Sequence, residues 1–177
     1  MNYKLPEEVV EILSKFQDAG YQIYIVGGAV RDLLMDREVR DWDFTTDAKP
    51  EEILKLFPEG FYDNKFGTVG IPGNHPRGER SDVQLAEHPG GGIFEITTMR
   101  KEGKYTDFRH PNYVGWTKKI EEDLARRDFT INAMALGTKS KHLRGERSDV
   151  PLAEHPGGGA TELIDPFHGQ QNITDGI

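Results

Sequence analysis

The stretch Ile25-Val26-Gly27-Gly28-Ala29-Val30-Arg31-Asp32 takes the chain from an apolar strand through two glycines into a helix. The strand reads from Tyr21 to Val26, and the helix from Ala29 to Met35. Two glycines at such a junction let a phosphate approach the backbone. The start of the helix adds free N–H groups and the positive end of its dipole. Arg31, one turn further on, is placed to grip phosphate oxygens. The plainer reading is a strand-to-helix turn with no ligand at all. The spacing is not G-x-G-x-x-G, so no dinucleotide site is indicated.

Around this junction the pattern alternates between helix and strand. Upstream, residues 6–19 place Val9, Ile12, Leu13 and Phe16 at helical spacing, and Gly20 ends the run. Downstream, Asp41 to Thr46 reads as a second strand, and Pro50 opens a short helix through Phe57. Phe66 to Ile71 and Ile93 to Met99 read as further strands, residues 119–136 as a helix, and Leu163-Ile164-Asp165 as a last strand before Pro166. Such alternation implies an α/β (α+β) fold, a mixed sheet with flanking helices.

Three further stretches carry candidate chemistry. In Asp41-Trp42-Asp43, residues two apart on a strand share a face, so both carboxylates project together. That spacing suits two divalent cations about 4 Å apart, and hard cations such as Mg²⁺ take oxygen ligands. A bare D-x-D also fits a solvated edge strand; Trp42 and Phe44 turning to the other face, toward a core, support the register. Glu95 stands in the otherwise apolar Ile93-Phe94-Glu95-Ile96, and faces either solvent or the metal site. In Glu121-Glu122-Asp123-Leu124-Ala125-Arg126-Arg127-Asp128-Phe129-Thr130 two readings stay open. One is a helix surface with ion pairs such as Asp123–Arg127. The other is a nucleotide clamp, with Arg127 on phosphate and Asp128 on a ribose hydroxyl.

One segment breaks the pattern. His75 to Gly92 recurs at His142 to Gly159, and the copies differ only at Pro76/Leu143 and Gln84/Pro151. A structural repeat would bring its flanking strands or helices with it, but the flanks here are unrelated. The segment is polar and ends in three glycines, so it cannot form a core of its own. Both copies read as inserted surface loops where elements would otherwise meet through a short turn, and loop closure grows only logarithmically with length.

The 177 residues suit one ordinary domain, with 36% hydrophobic and 29% charged residues. No cysteine is present, which rules out disulfides and thiolate chemistry and fits a reducing cytoplasm. The first residues lack the apolar run of a signal peptide, and no stretch is long enough to span a membrane, so a soluble cytoplasmic protein is expected. The net charge of -8 alone argues against nucleic-acid binding, which needs Lys and Arg.

Taken in order, Gly27-Gly28-Ala29-Val30-Arg31-Asp32, Asp41-x-Asp43, Phe94-Glu95-Ile96-Thr97-Thr98-Met99-Arg100, Arg126-Arg127-Asp128-Phe129-Thr130-Ile131-Asn132-Ala133 and Ile164-Asp165-Pro166-Phe167-x-Gly169 closely resemble the class II tRNA nucleotidyltransferases and bacterial poly(A) polymerases. The resemblance covers nearly the whole chain apart from the loops at 75–92 and 142–159. It implies a catalytic head like that of DNA polymerase beta, which adds CCA or the terminal A to tRNA 3′ ends by two-metal phosphoryl transfer. On that footing Asp41 and Asp43 would be the Mg²⁺ ligands, with Glu95 as a third catalytic acid. Gly27, Gly28, Arg31, Arg127 and Asp128 would bind the incoming ATP or CTP. Tyr105 to Pro111, with Asp107 and Arg109, resembles the family's flexible loop. Asp63-Asn64-Lys65-Phe66-Gly67-Thr68-Val69 resembles the CCA-adding branch more than the poly(A) branch. The family continues into helical neck, body and tail domains that this chain is expected to lack, which would account for its acidic balance. A poly(A) polymerase and an inactive nucleotide-binding remnant are the competing readings.

Overall fold

The computed structural model describes residues 3–63, 67–74, 92–102, 114–138 and 161–176. In chain order the elements are α1 (Glu7–Asp18), β1 (Ile23–Val26), α2 (Gly28–Leu34), β2 (Asp43–Thr46), α3 (Pro50–Leu56), β3 (Phe61–Asp63), β4 (Thr68–Pro72), β5 (Ile93–Thr98), β6 (Arg100–Glu102), β7 (Val114–Trp116), α4 (Ile120–Leu124), a 3-10 turn (Thr130–Asn132), β8 (Ala135–Thr138), β9 (Thr161–Ile164) and α5 (Gly169–Asp175). Seven strands form one mixed sheet in the order β3-β4-β5-β2-β1-β8-β9, and β6 and β7 form a separate ribbon. Among the described residues only β2 and β5 run parallel; the other strand pairs are antiparallel.

Alternation along the strands divides the sheet into two faces. Leu136, Ile25, Phe44, Ile96 and Val69 lie side by side across five strands, all buried. This row, with Phe94 and Ile71, is the floor of the main core. Val9, Ile12, Leu13 and Phe16 of α1, Ala29 and Val30 of α2, and Ile53 of α3 close it from above. The apolar stripe of α1 is the one its sequence spacing requires, and burying it removes those side chains from water. Trp42 and Phe44 are buried, as their spacing predicts. The opposite face carries a smaller cluster of Val26, Met99 and Ala135, covered by Ile120 and Leu124 of α4. On α3, the Glu52 carboxylate accepts the Lys49 backbone N–H at 2.7 Å, so an otherwise orphaned donor at the helix start is satisfied.

Several sequence expectations need correction. Residues 119–136 are not one helix: α4 ends at Leu124, a 3-10 turn follows, and Ala135 opens β8. The apolar run from Ile131 to Leu136 fits either secondary structure by periodicity, and the sheet claims its second half. Asp41 and Trp42 precede β2 instead of lying in it. β3, the β6–β7 ribbon and α5 are short elements that the sequence reading passed over.

The repeat loops leave the sheet at opposite ends. Pro72 and Ile93 are ladder partners, and Gly73 donates its N–H to the Gly92 carbonyl at 2.9 Å. The first copy therefore departs from a closed hairpin mouth at the sheet end where Asp43 and Glu95 begin their strands. Thr138 pairs with Thr161 at the other end, so the second copy also lies between two strands, not between a helix and a strand. Among the described residues no helix is long and apolar enough to cross a membrane.

Candidate active site

The site grows from the parallel pairing of β2 with β5, which sets Asp43 beside Glu95. Paired residues on neighbouring strands point to the same face, here the one only partly covered by α4. Glu95 is exposed and Asp43 half-buried. Of the two sequence alternatives for Glu95, the solvent-facing one holds, and the same sheet face also carries Asp43. Asp41 is exposed and stands two residues before Asp43, at the entrance to β2. The shared-face rule for strands thus joins Asp43 to Glu95 across the ladder, not Asp43 to Asp41 along it.

Gly27 supplies the second side of the site. It takes φ 70° and ψ −137°, a backbone region essentially confined to glycine. A Cβ on Gly27 would lie 3.3 Å from Arg127 Nη1 and 3.4 Å from Asp43 Oδ2. The missing side chain keeps open the space that the Asp43 carboxylate and the Arg127 guanidinium share. Gly28 is the first residue of α2, and a Cβ there would lie 3.4 Å from Arg31 Nη2. Arg31 pairs with Asp32 at 2.9 Å and donates Nη1 to Asn132 Oδ1 at 3.1 Å. That bond ties the start of α2 to the 3-10 turn.

Arg127 is largely buried, and burial pushes its guanidinium below the ordinary value. Asp123 pulls the other way, Arg126 adds to the depression, and Asp43 also opposes it. Arginine keeps its proton even so, so the site holds a cation whose hydration has been stripped and only partly replaced. Its Nε is buried without a hydrogen-bond partner, and its Nη2 lies 3.5 Å from Asp123 Oδ2. The ion pair that the sequence offered as one alternative is present: Arg127 pairs with Asp123, and Asp43 adds a further attraction across the space at Gly27. Asp128 is exposed on the following turn. Asp107 and Arg109 lie outside the described residues.

The sequence reading assigned no site role to Thr45, Asp123 or Asn132. Asp123 is fully buried; its sequence signal was the i,i+4 spacing to Arg127, which a helix surface explains equally well. Among the described residues no three His, Asp or Glu side chains converge as a ready-made metal cage. The donor set is one of carboxylate oxygens at a half-open sheet face. That fits a cation such as Mg²⁺, which binds through one or two carboxylates and fills its remaining positions with water and phosphate oxygens. An anionic ligand would find Arg127 on the other side.

The sequence model of the Poly A polymerase head domain matches residues 23–177. The chain is 42% identical to the CCA-adding enzyme of Streptococcus pyogenes serotype M5 (strain Manfredo) over 148 residues, 84% of this chain and 33% of that relative. Its structure is similar to that of the Bacillus stearothermophilus CCA-adding enzyme in complex with CTP, with a TM-score of 0.63 and 30% identity over 97% of this chain and 32% of the other. It is also similar to the Thermotoga maritima CCA-adding enzyme complexed with tRNA, with a TM-score of 0.54 and 26% identity over 96% of this chain and 31% of the other. The chain thus spans about a third of the length of the curated relatives it matches.

Proposed function

The chain belongs to the Poly A polymerase head domain family, and on that premise we propose that it is the catalytic head of a template-independent RNA nucleotidyltransferase acting on tRNA 3′ ends, adding CCA or the terminal A. The observation that carries this reading is the pairing of Asp43 with Glu95 across the ladder, with the Asp43 carboxylate and the Arg127 guanidinium both beside Gly27. The CCA branch is favoured over polyadenylation by 42% identity to a CCA-adding enzyme.

In this reading Asp41 and Asp43 hold Mg²⁺, with Glu95 beside them. Bound there, Mg²⁺ supplies Lewis-acid stabilisation of the charge that develops as a phosphoryl group is transferred. Arg127 takes the nucleotide, Asp128 its ribose, and Arg31 with the Gly27-Gly28 backbone the phosphate tail. A desolvated guanidinium gains more from a phosphate than an exposed one does. No protein nucleophile is required. The place of action is the cytoplasm, and the partners are ATP, CTP and the tRNA 3′ end.

The reading is tested by calorimetry of ATP and CTP with and without Mg²⁺. The expected result is Mg²⁺-dependent binding of both nucleotides with comparable affinity, lost in Asp41→Ala/Asp43→Ala. Absence of binding by the unaltered chain would put the inactive remnant ahead. A defined short addition to tRNA, as opposed to a long A tail, separates CCA addition from polyadenylation.

We also propose that residues 1–177 are a single head domain in which the copies at 75–92 and 142–159 are tolerated insertions. Both hairpin mouths are closed by ladder pairs without them. Replacing either copy with a short turn is expected to raise stability by about 1 kcal/mol, from the logarithmic cost of loop closure, with ATP affinity unchanged. Loss of nucleotide binding on removing the first copy would mean that the repeat serves the site.

A further inference from the structure

Asp123 has no exposed surface, and a carboxylate in that position costs free energy unless its oxygens are matched. They are matched by three separate parts of the fold. Oδ1 accepts the Arg100 backbone N–H at 3.0 Å, at the root of β6, and Arg126 Nε at 3.0 Å. Oδ2 lies 3.4 Å from the Thr45 hydroxyl and 3.5 Å from Arg127 Nη2. Thr45 stands two residues from Asp43 on β2, on the same face of the sheet.

The two oxygens therefore do different things. Oδ1 holds the β6–β7 ribbon and Arg126. Oδ2 faces the site. Arg127 faces Asp123 through Nη2, while its Nη1 and the Asp43 carboxylate border the same space at Gly27, so both carboxylates act on one guanidinium. Arg127 Nε is buried with no hydrogen-bond partner, so the guanidinium is not oriented from that end. The neighbouring Glu122 has only the first of the two duties. It accepts the Thr117 hydroxyl at 2.6 Å, beside the end of β7, and a salt bridge from Lys119 at 3.7 Å.

We propose that Asp123 is a positioning residue for nucleotide binding: it aims the Arg127 guanidinium at the space beside Asp43, and through the Arg100 amide it fixes the root of the β6–β7 ribbon to the same carboxylate. The proposal rests on the reading that Arg127 contacts the nucleotide. Asp123→Asn keeps the shape and an oxygen for the Arg100 amide, but removes the charge that faces Arg127. Fold stabilisation alone would lower the melting temperature and leave the affinity of the folded protein as it was. Positioning changes the affinity, and does so only through Arg127.

The test is a double-mutant cycle on Mg²⁺-dependent ATP binding, measured by calorimetry, with thermal midpoints recorded for each protein. The variants are Asp123→Asn, Arg127→Met and the pair together. Asp123→Asn is expected to weaken ATP about tenfold, the scale of one charge-assisted hydrogen bond. Arg127→Met is expected to weaken it at least as much, and the pair no more than Arg127→Met alone, because the first change acts through the second residue. Glu122→Gln is expected to leave ATP affinity unchanged. If Arg127→Met weakens ATP while Asp123→Asn does not, or if the two losses add in full, the positioning role is wrong and the nucleotide site stands. If Arg127→Met binds ATP as the unaltered chain does, the role of Arg127 and the proposal fall together. Should Asp123→Asn fail to fold, Asp123→Glu takes its place in the cycle; it keeps the charge but displaces it by one methylene, with the same expected and overturning results.

Discussion

If the chain is the proposed catalytic head, Asp43→Asn is expected to lower nucleotide transfer by about 10³-fold or more, roughly 4 kcal/mol of barrier, while the thermal midpoint moves by no more than about 2 °C. The two halves of this expectation have separate causes. The backbone of Asp43 is held by its ladder positions opposite Val26 and Glu95, and asparagine keeps that geometry and nearly the same volume. Arg127 retains Asp123 as a counter-charge, so the buried guanidinium is not left without an ion pair. The site, in contrast, loses the half-buried carboxylate that stands beside Glu95 on the ladder and borders, with Arg127, the space at Gly27. A hard divalent cation takes a charged oxygen far more readily than an amide. The measurement is incorporation of labelled AMP or CMP into tRNA lacking its 3′ end, with melting recorded on the same samples. Glu95→Gln is the internal comparison: Glu95 is exposed on the same face, and its loss is expected to be smaller. Transfer that survives Asp43→Asn with its rate intact would remove the two-carboxylate reading altogether.

The parts of this site that could be read from the sequence are those fixed by local spacing. Phe44 turns inward because alternation along β2 sets it on the face opposite Asp43, and Trp42, just before the strand, is buried as well. The stripe from Val9 to Phe16 predicts α1 and its buried side for the same reason. The paired glycines after Val26 mark a strand-to-helix junction, and β1 gives way to α2 there. What remained hidden depends on contacts distant in sequence. Nothing near Glu95 reveals which strand lies alongside it, and its face was settled only by the parallel register with Asp43. Asp123 looked like a surface charge on a helix, because its burial depends on Thr45 and Arg100 arriving from elsewhere. The segment from 119 to 136 was misread as a single helix for a related reason. Its break after Leu124 accompanies the burial of Asp123 and the turn that carries Arg127 toward Asp43. Long-range demands of this kind override local periodicity, and they concentrate where function is built.

Gly27→Ala is the substitution that tests fold and site together. The left-handed φ of 70° is unfavourable for any residue with a Cβ, and holding alanine there costs about 2 kcal/mol, which corresponds to a fall of roughly 4–8 °C in Tm for a domain of this size. The new methyl would also lie 3.3 Å from Arg127 Nη1 and 3.4 Å from Asp43 Oδ2. The guanidinium would have to yield, yet Asp123 holds its other side. Alanine is therefore expected to weaken Mg²⁺-dependent ATP binding at least tenfold, in addition to the loss of stability. Gly28→Ala separates the two effects. Gly28 is the first residue of α2 and its backbone is not left-handed, so alanine there costs no strain and removes entropy from the unfolded chain. Its methyl would lie 3.4 Å from Arg31 Nη2, on the side where the phosphate tail is proposed to approach. The expected pattern is a lower midpoint with weakened ATP for Gly27→Ala, and an unchanged or higher midpoint with weakened ATP for Gly28→Ala. If Gly27→Ala bound ATP normally once corrected for the unfolded fraction, the open space between Asp43 and Arg127 would be a packing detail with no ligand to serve.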